Sequence, residues 1–431
     1  MSNWAGNISF GPAGVARPDS VDELRRIVAG STRVRALGTR HSFSGVLATT
    51  GGFVQLDRLP PAVDIDPAAS TATVTAGMRY GDVAAALHRS GHALANLASL
   101  PDITVAGACA TGTHGSGDAR QSLAAAVVGL QLVGPQGDVV ELSRDSDHDT
   151  FAGSVVALGA LGVVTRVTLS IEPSYEVAQS VRVRVPLDEV QGRFDAVFGA
   201  AYSVSVFTTW AGDAAVWLKR RTDRPAADLA LGTPADGPLN PVPGADPAPC
   251  TDQSGRPGPW HERLPHIRSG TVPGVGDELQ SEYFLPRAAA PAAFTGLRAL
   301  APLLAPVLKV GEVRTVRGDD LWLSPAYEQD SAAFHFTWIK DVPRVLPVIA
   351  AVEEVLAPLG ARPHWAKLTA MTGPEIRSRY RRAADFQELR DKCDPDGKFG
   401  NALVDELSQD RQSPGSKSPR TREVPPWKSD F

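Results

Sequence analysis

One loop after a predicted strand constrains the fold of this 431-residue chain more than any other feature. Apolar and polar residues alternate over 31–37, which predicts a strand. The loop that follows is Gly38-Thr39-Arg40-His41-Ser42. Its small residues let a ligand approach the backbone closely, and its N–H groups can bind a phosphate while the imidazole lies beside the rest of the ligand. Taken alone, the loop also fits a polar turn with a surface histidine.

A second stretch favours the ligand-binding interpretation. Residues 99–107 lead into residues 110–117, and both runs are nearly free of charge and rich in Gly, Ala, Ser and Thr. Such a backbone can line a long, polyanionic cofactor, because small side chains leave its N–H groups accessible.

Together, the two stretches resemble the flavin-binding halves of the vanillyl-alcohol-oxidase family of FAD enzymes and, within it, the alditol (xylitol) oxidases. The resemblance extends from about residue 3 to residue 404. It implies an α+β fold class, with a two-part PCMH-type FAD-binding domain and an α+β substrate (cap) domain. The implied divisions are 1–175 (FAD-binding domain), 176–375 (cap domain), 376–407 (C-terminal return to the FAD-binding domain) and 408–431 (a tail expected to be disordered).

The same resemblance implies FAD as cofactor, bonded covalently to His41 through the flavin 8α-methyl group. In relatives a histidine is usual where this chain has Asp102, and an anion beside the flavin would disfavour its reduced, anionic form. The further FAD contacts implied are Leu37, Gly38, Thr39, Arg40, Ser42, Ser99, Thr104, Gly107, Thr111, Gly112, Thr113, His114, Val163 and His364.

Local patterns place these motifs on elements. Ser20 with Glu23 three residues later predicts a helix start with a capping box. Residues 394–401 resemble the C-terminal signature of the family, although an Asp-Pro-Asp-Gly turn is the simpler interpretation. Periodicity predicts helices over 80–90, 187–200, 290–304 and 342–356, and strands over 123–133, 138–142, 181–185, 203–209, 279–285, 310–316 and 333–339.

Composition excludes several classes of protein. The formal charge of −5, without a basic run interleaved with aromatics, argues against nucleic-acid binding. The sequence contains no run of about eighteen apolar residues, so it predicts no membrane span. Its N-terminus lacks the basic and hydrophobic regions of a signal peptide. Three widely spaced cysteines fit a reducing cytoplasm, and the nine histidines match no metal motif. We therefore expect a cytoplasmic protein without a metal. A monomer is a separate expectation.

Three predicted segments of the cap carry polar side chains at alternate positions. A strand has a period of two, so Glu312 shares a face with Arg314, and His335 shares one with Thr337. A third segment, 364–367, offers an imidazole and an ammonium group. Each pair alone also fits a solvated strand face with a cross-strand ion pair.

The resemblance to alditol oxidases implies that a polyol binds at Ser99, Glu312, Arg314, Thr337 and Lys367. It makes Arg314 and Lys367 the expected catalytic residues, which would stabilise the alkoxide. Lys367 would also accept the proton if burial lowers its pKa. His335 is expected behind the substrate contacts, and His364 beside the flavin.

The implied function is oxidation of the terminal primary alcohol of a polyol, such as xylitol or sorbitol, to the aldose, with O2 reduced to H2O2. Two alternatives stay open at this point. One is a sugar-1,4-lactone (gulonolactone-like) oxidase or dehydrogenase of the same superfamily. The other is a flavin-binding protein without turnover.

Overall fold

Two hydrophobic cores organise the fold. The computed structural model describes residues 1–10, 14–225, 229–271 and 276–407, so the predicted tail at 408–431 lies outside the described residues. One core holds the first part of the chain, and the other lies against a large antiparallel sheet.

The first part contains a small parallel sheet and a larger antiparallel sheet. The parallel sheet has the order β1-β3-β2, and the antiparallel sheet has the order β4-β5-β9-β7-β8. β6 pairs with β10. The elements are β1 (Val15–Ala16), α1 (Val21–Gly30), β2 (Val34–Ala36), β3 (Gly52–Val54), β4 (Val63–Asp66), β5 (Thr71–Thr75), α2 (Tyr80–Arg89), β6 (His92–Ala93), α3 (Val105–Ala110), β7 (Val127–Val133), β8 (Val139–Ser143), α4 (His148–Val155), β9 (Val163–Ser170) and β10 (Glu172–Pro173).

Local signals explain where these elements begin and turn. The Ser20 side chain caps α1 by accepting a hydrogen bond from the Glu23 N–H, which confirms the predicted helix start. The Glu23 carboxylate accepts from the Asp19 N–H rather than from that of Ser20, so the predicted capping box forms only in part. The β7–β8 hairpin turns at Gly137, whose φ of +78° suits glycine. The strand predicted over 123–133 begins only at Val127, because residues 123–126 form a 3-10 turn.

The second part is built on one antiparallel sheet with helices on one face. Its strand order is β14-β11-β13-β12-β17-β18-β16-β19, and β15 pairs with β11. The elements are β11 (Glu176–Pro186), α5 (Leu187–Gly192), α6 (Phe194–Phe198), β12 (Ser203–Thr208), β13 (Asp213–Arg221), β14 (Thr233–Pro234), β15 (Pro257–Pro259), β16 (Glu278–Pro286), α7 (Ala290–Ala299), α8 (Ala301–Leu304), β17 (Leu308–Val316), β18 (Ser331–Ile339), α9 (Val342–Leu356) and β19 (Arg362–Pro363).

Alternation along the central strands separates their two faces. Phe334 and Phe336 of β18 lie in the core under α7 and α9, which contribute Leu297 and Ile349. The polar residues between them point to the opposite face. The helix predicted over 187–200 is interrupted at Arg193 and becomes α5 and α6.

The C-terminal segment returns to the first core. It contains α10 (Gly373–Ser378), α11 (Ala383–Cys393) and α12 (Ala402–Glu406). Phe386 and Phe399 pack in the first core, but so do Trp322 and Trp365, which come from within 176–375. The domain boundaries at 175 and 375 therefore stay a prediction, since the two parts interlock.

Three further findings concern the described residues only. No helix among them is both long and apolar enough to cross a membrane. Within the same ranges, no cluster of histidine, cysteine and acidic side chains is arranged to hold a metal ion. Cys109, Cys250 and Cys393 are buried, free thiols.

Candidate active site

Two cavities meet at the end of the His41 loop. A channel of 250 Å³ runs through the first part of the chain, and a cavity of 600 Å³ lies against the polar face of the large sheet. Residues that line both are His41, Ile103, Thr113 and Ala366. A ligand that fills the channel would therefore reach the cavity beside His41.

The structure brings most of the predicted FAD contacts to these cavities. Ser99, His114 and His364 line the larger cavity rather than the channel. The predicted contacts that line the channel are Leu37, Gly38, Thr39, Arg40, His41, Ser42, Thr104, Gly107, Thr111 and Thr113.

Two predicted contacts line neither cavity. Gly112 has a φ of +69°, and a Cβ there would lie 2.8 Å from Pro325 Cδ, so its role is a tight turn. Val163 is fully buried in the core, and its neighbours Gly162 and Val164 line the channel instead. The structure therefore places these two residues next to residues of the channel wall rather than in the wall itself.

Close backbone packing explains the glycines of the channel. A Cβ on Gly38 would lie 2.4 Å from Thr104 Oγ1, and a Cβ on Gly107 would lie 2.7 Å from the same atom. Both distances are shorter than a van der Waals contact, so only glycine lets the 37–42 loop lie against the start of α3. This contact forms one wall of the channel.

His41 is a half-buried residue whose imidazole stacks on a neighbouring ring and whose two ring nitrogens are buried. Its Nδ1 and Nε2 atoms are both buried without a hydrogen-bond partner. The ring stacks on Trp4, with centroids 4.9 Å apart and planes 28° from parallel. Burial, and then the nearby Lys367, lower the pKa of His41 to about 4. The imidazole is therefore neutral at pH 7, with both nitrogens available to a ligand.

Arg314 is the central cation of the larger cavity. Its Nη1 donates to Ser99 Oγ at 3.2 Å, and its Nη2 donates to Glu282 Oε1 at 2.5 Å. Its Nε lies 3.6 Å from Glu312 Oε2. Burial opposes its charge, but Glu312 and Glu282 raise the pKa of Arg314. The guanidinium therefore remains charged in a place that water barely reaches.

Glu282 is a buried carboxylate that the sequence reasoning missed. It lies on β16, and its Oε1 is 3.0 Å from His114 Nε2. Its Oε2 is 3.4 Å from His335 Nδ1. Burial alone would raise the pKa of Glu282, but Arg314 and the histidines hold it well below the ordinary value. The alternation of Glu278, Gln280 and Glu282 with Leu279, Ser281 and Tyr283 could have revealed this residue, because a strand places alternate residues on one face.

Lys367 lies in the same cavity, beyond the end of β19. Its Nζ donates to Gln280 Oε1 and lies 5.1 Å from the centroid of the Phe43 ring. Burial and then the repulsion of Arg314 lower the pKa of Lys367 to about 8, although Glu282 opposes the shift. The amine can therefore lose its proton close to physiological pH.

Other predicted residues line the same cavity as Arg314 and Lys367. The Thr337 Oγ1 atom is 3.2 Å from His335 Nε2, so the two share one face of β18 as predicted. His364 is buried, and its Nδ1 accepts a hydrogen bond from the Ala366 N–H at 3.1 Å. Burial holds the pKa of His364 well below the ordinary value, so its ring is neutral.

A buried lysine and a histidine, which the sequence reasoning also missed, hold Glu312 from behind. His266 Nε2 lies 2.9 Å from Glu312 Oε1, and its Nδ1 lies 3.0 Å from Lys219 Nζ. Burial lowers the pKa of Lys219 to about 7, although Glu312 opposes the shift. While Lys219 is protonated, its ammonium group can only donate, which favours the tautomer in which Nε2–H of His266 donates to Glu312. Lys219 also donates to the Leu264 and Pro265 carbonyls. The Glu312 Oε2 atom is left to face Arg314 and the cavity.

Asp102 is turned away from the cavities. Its Oδ1 accepts from Ser269 Oγ at 2.6 Å, and its Oδ2 accepts from the Gly270 N–H at 2.8 Å. The side chain is buried and lines neither cavity. Both oxygens are therefore engaged in tying the 99–102 segment to the loop that follows His266.

Comparison with known proteins places this geometry in a family. The FAD binding domain family matches residues 12–143, and the D-arabinono-1,4-lactone oxidase family matches residues 277–407. The alditol oxidase of a Streptomyces species is 45% identical over 412 residues, covering 94% of this chain and 98% of the relative. The chain belongs to the alditol oxidase family of FAD-dependent oxidoreductases.

More distant relatives of the alditol oxidase family agree with the fold. The L-gulonolactone oxidase of Bos taurus is 28% identical over 440 residues, covering 94% of this chain and 98% of the relative. The structure of cholesterol oxidase from B. sterolicum has a TM-score of 0.76 at 15% identity, covering 94% of this chain and 96% of that one. A chitooligosaccharide oxidase structure has a TM-score of 0.72 at 16% identity, and the match covers 94% of this chain and 93% of that one. These matches confirm the predicted α+β class with a PCMH-type FAD-binding domain.

The residues present fit FAD. The channel has walls of glycine and small residues, and it ends at an imidazole with two unpartnered buried nitrogens. A long polyanionic group with a reactive ring at one end matches both features.

Proposed function

We propose that this chain oxidises the terminal primary alcohol of a polyol, such as xylitol or sorbitol, to the aldose. FAD, when bound, accepts the hydride from the alcohol carbon and passes two electrons to O2, which becomes H2O2. Small polyols and O2 are the proposed partners. A cytoplasmic location and a monomeric state, both expected from the sequence, belong to the same proposal.

The observation that carries the proposal is that the Arg314 guanidinium and the Lys367 amine lie together in the cavity that meets the channel at His41. An alcohol gives up a hydride more readily as its hydroxyl loses a proton, because the developing carbonyl is then stabilised. Lys367 accepts that proton in its neutral form, and the Arg314 guanidinium stabilises the charge on the oxygen. Their desolvation makes each interaction stronger than it would be in water.

The remaining polar residues suit the hydroxyl groups of a polyol. Glu312 Oε2 and Gln280 offer acceptors to the cavity, while Ser99 and Thr337 offer hydroxyl groups to it. Such groups, arranged in advance, favour a substrate with several hydroxyls over one that leaves them unpaired. An aliphatic alcohol with one hydroxyl would therefore be a poor substrate.

Oxidation of a sugar-1,4-lactone is the second candidate. The match of residues 277–407 to the D-arabinono-1,4-lactone oxidase family favours it, because this segment supplies Glu282, Glu312, Arg314 and Lys367. Anaerobic mixing of the purified protein with xylitol, sorbitol or L-gulono-1,4-lactone separates the candidates. Loss of flavin absorbance with the polyols alone is the expected result, and faster bleaching by the lactone would reverse the assignment. No bleaching by any of them would leave a flavin-binding protein without turnover.

Covalent attachment of FAD to His41 is part of the same proposal. The neutral ring and its two free nitrogens support it, since a protonated imidazole cannot act as a nucleophile. Acid-precipitated wild-type protein is expected to stay yellow, whereas His41→Ala should release its flavin into the supernatant. Flavin that stays with the acid-washed variant would show that another residue carries the bond.

A further inference from the structure

The first residues of the chain form a compact turn that packs on the His41 loop. We name residues 2–9 the N-terminal strap. Ser2 and Ser9 form a β-bridge, and Asn3 Oδ1 accepts from the Ile8 N–H at 3.1 Å. Asn3 Nδ2 also donates to Asn7 Oδ1 at 2.6 Å, so the strap is closed on itself.

Backbone carbonyls on both sides of His41 accept hydrogen bonds from this strap. The Trp4 N–H donates to the Arg40 carbonyl at 2.8 Å. Asn3 Nδ2 donates to the Ser42 carbonyl at 2.9 Å, and Asn7 Nδ2 donates to the Phe43 carbonyl at 3.1 Å. Arg40 has a φ of +65°, a conformation that a non-glycine residue adopts only when its surroundings hold it there.

The strap also contacts the ring of His41. Trp4 stacks on the imidazole at 4.9 Å and meets the Phe43 ring edge-on at 6.2 Å. The Trp4 carbonyl accepts from the Gly276 N–H at 3.0 Å, so the large-sheet part of the chain closes over the indole. A Cβ on Gly276 would lie 2.2 Å from the indole, which shows how closely the two pack.

Holding a histidine by its face has a chemical consequence. A buried histidine is ordinarily oriented through a hydrogen bond to one ring nitrogen, which occupies that atom and sets the tautomer. Stacking fixes the plane of the ring and leaves both nitrogens, which lie on its edge, free to react. We propose that Asn3 and Trp4 are positioning residues for flavin attachment. Their hydrogen bonds hold the backbone on both sides of His41, and the Trp4 indole holds the His41 ring in the orientation that the bond requires.

This inference rests on the proposed attachment at His41. In that reaction an imidazole nitrogen forms a bond to the 8α-methyl carbon of the flavin. One hydrogen leaves the methyl group and one leaves the imidazole as protons, and the two electrons pass through the flavin to O2, which becomes H2O2. A misplacement of about 1 Å can slow such a step by roughly two orders of magnitude.

The test measures attachment separately from binding and from activity. Full-length wild type, Trp4→Leu, Trp4→Phe and Asn3→Ala are supplied with FAD, and acid-stable flavin is followed over time by fluorescence of the protein band in a denaturing gel. Each value is divided by the FAD bound before acid treatment, so only folded, FAD-loaded protein counts. Ser9→Ala is the matched control, because Ser9 is exposed and the strap uses only its backbone.

We expect Trp4→Leu and Asn3→Ala to attach flavin at least about tenfold more slowly than wild type per bound FAD. Trp4→Phe, which keeps an aromatic face, should recover most of the rate, and Ser9→Ala should match wild type. Attachment at the wild-type rate in both Trp4→Leu and Asn3→Ala would overturn the inference while leaving His41 as the attachment site. Trp4→Phe as slow as Trp4→Leu would overturn the role of the ring face. Wild-type protein that releases all its flavin in acid would instead refute attachment at His41.

Discussion

The charge of Lys367 determines how the reaction depends on pH. Below a pKa of about 8 the side chain is an ammonium group that cannot accept a proton, and above it the neutral amine can. The anaerobic rate of flavin reduction by xylitol should therefore rise with pH and level off above about 8. Lys367→Met should remove this rise, since the remaining cation Arg314 stays charged throughout. A variant that keeps the wild-type pH profile would show that another group accepts the proton.

Charged and neutral contacts of the substrate should differ in how much they contribute to the chemical step. Arg314→Ala removes a buried charged donor and should slow anaerobic flavin reduction by about two orders of magnitude, or roughly 3 kcal/mol. Ser99→Ala and Thr337→Ala remove neutral hydrogen bonds, worth about 1 kcal/mol each. Stopped-flow reduction at saturating xylitol measures the order directly. If Arg314→Ala reduces its flavin at the wild-type rate and loses only apparent affinity, Arg314 binds substrate and transition state equally.

Several site residues could be predicted from sequence because a strand imposes a period of two. Glu312 and Arg314 share a face of β17, and the contacts of both follow from that register. Lys219 and His266 could not be predicted. β13 ends in the charged run 219–221, which a sequence pattern would assign to the protein surface. His266 lies in an irregular segment that has no helix or strand periodicity. Their pairing depends on residues far apart along the chain, which local patterns do not encode.

At the scale of elements, a carboxylate on α9 holds the segment that carries Lys367. Glu353 Oε1 accepts from Tyr283 Oη at 2.7 Å, Thr369 Oγ1 at 2.6 Å and the Ala370 N–H at 3.0 Å. Burial raises the pKa of Glu353, and the donors from Thr369 and Tyr283 oppose that shift. The helix therefore fixes β16 and the 367–370 segment relative to each other.

Removing this acceptor should destabilise the protein. Glu353→Leu leaves the buried Tyr283 hydroxyl and two less buried donors, Thr369 and Ala370, without their acceptor and should lower the free energy of unfolding by about 2 kcal/mol. Glu353→Gln keeps an acceptor and should lower it less. Glu354, the exposed neighbour on the same helix, provides the control, and Glu354→Gln should stay within about 0.5 kcal/mol of wild type. Urea unfolding followed by circular dichroism measures all three. An equal loss for Glu353→Leu and Glu354→Gln would contradict the role given to the buried carboxylate.

At the scale of the whole molecule, one arginine joins distant parts of the chain under the FAD channel. Arg35, on β2, donates from Nη1 to the Phe399 carbonyl at 2.5 Å and the Gly159 carbonyl at 3.3 Å. Its Nη2 donates to the Val46 and Leu158 carbonyls at 2.5 and 2.6 Å. Burial is the main cause that lowers the pKa of Arg35, to about 10, so the guanidinium is still charged at pH 7. The sequence showed only that Arg35 is a polar residue within a short strand. Its four partners could not be predicted, because none of these carbonyls is its neighbour along the chain.

Arg35→Met should therefore affect stability and cofactor binding together. It keeps much of the apolar stem but removes the donor to the Phe399, Leu158 and Gly159 carbonyls, while the Val46 carbonyl keeps a hydrogen bond from Asn401 Nδ2 at 2.9 Å. The free energy of unfolding should therefore fall by about 3 kcal/mol. The same change loosens the support of the 37–42 loop, and FAD supplied to the protein should bind more weakly.

Arg17→Met is the matched control, because the Arg17–Asp57 ion pair is exposed and such pairs contribute at most about 1 kcal/mol. Urea unfolding and a titration with FAD measure the two effects separately. Equal stability of Arg35→Met and Arg17→Met would show that the carbonyls find other donors, and weaker FAD binding without loss of stability would place the effect of Arg35 in the channel alone.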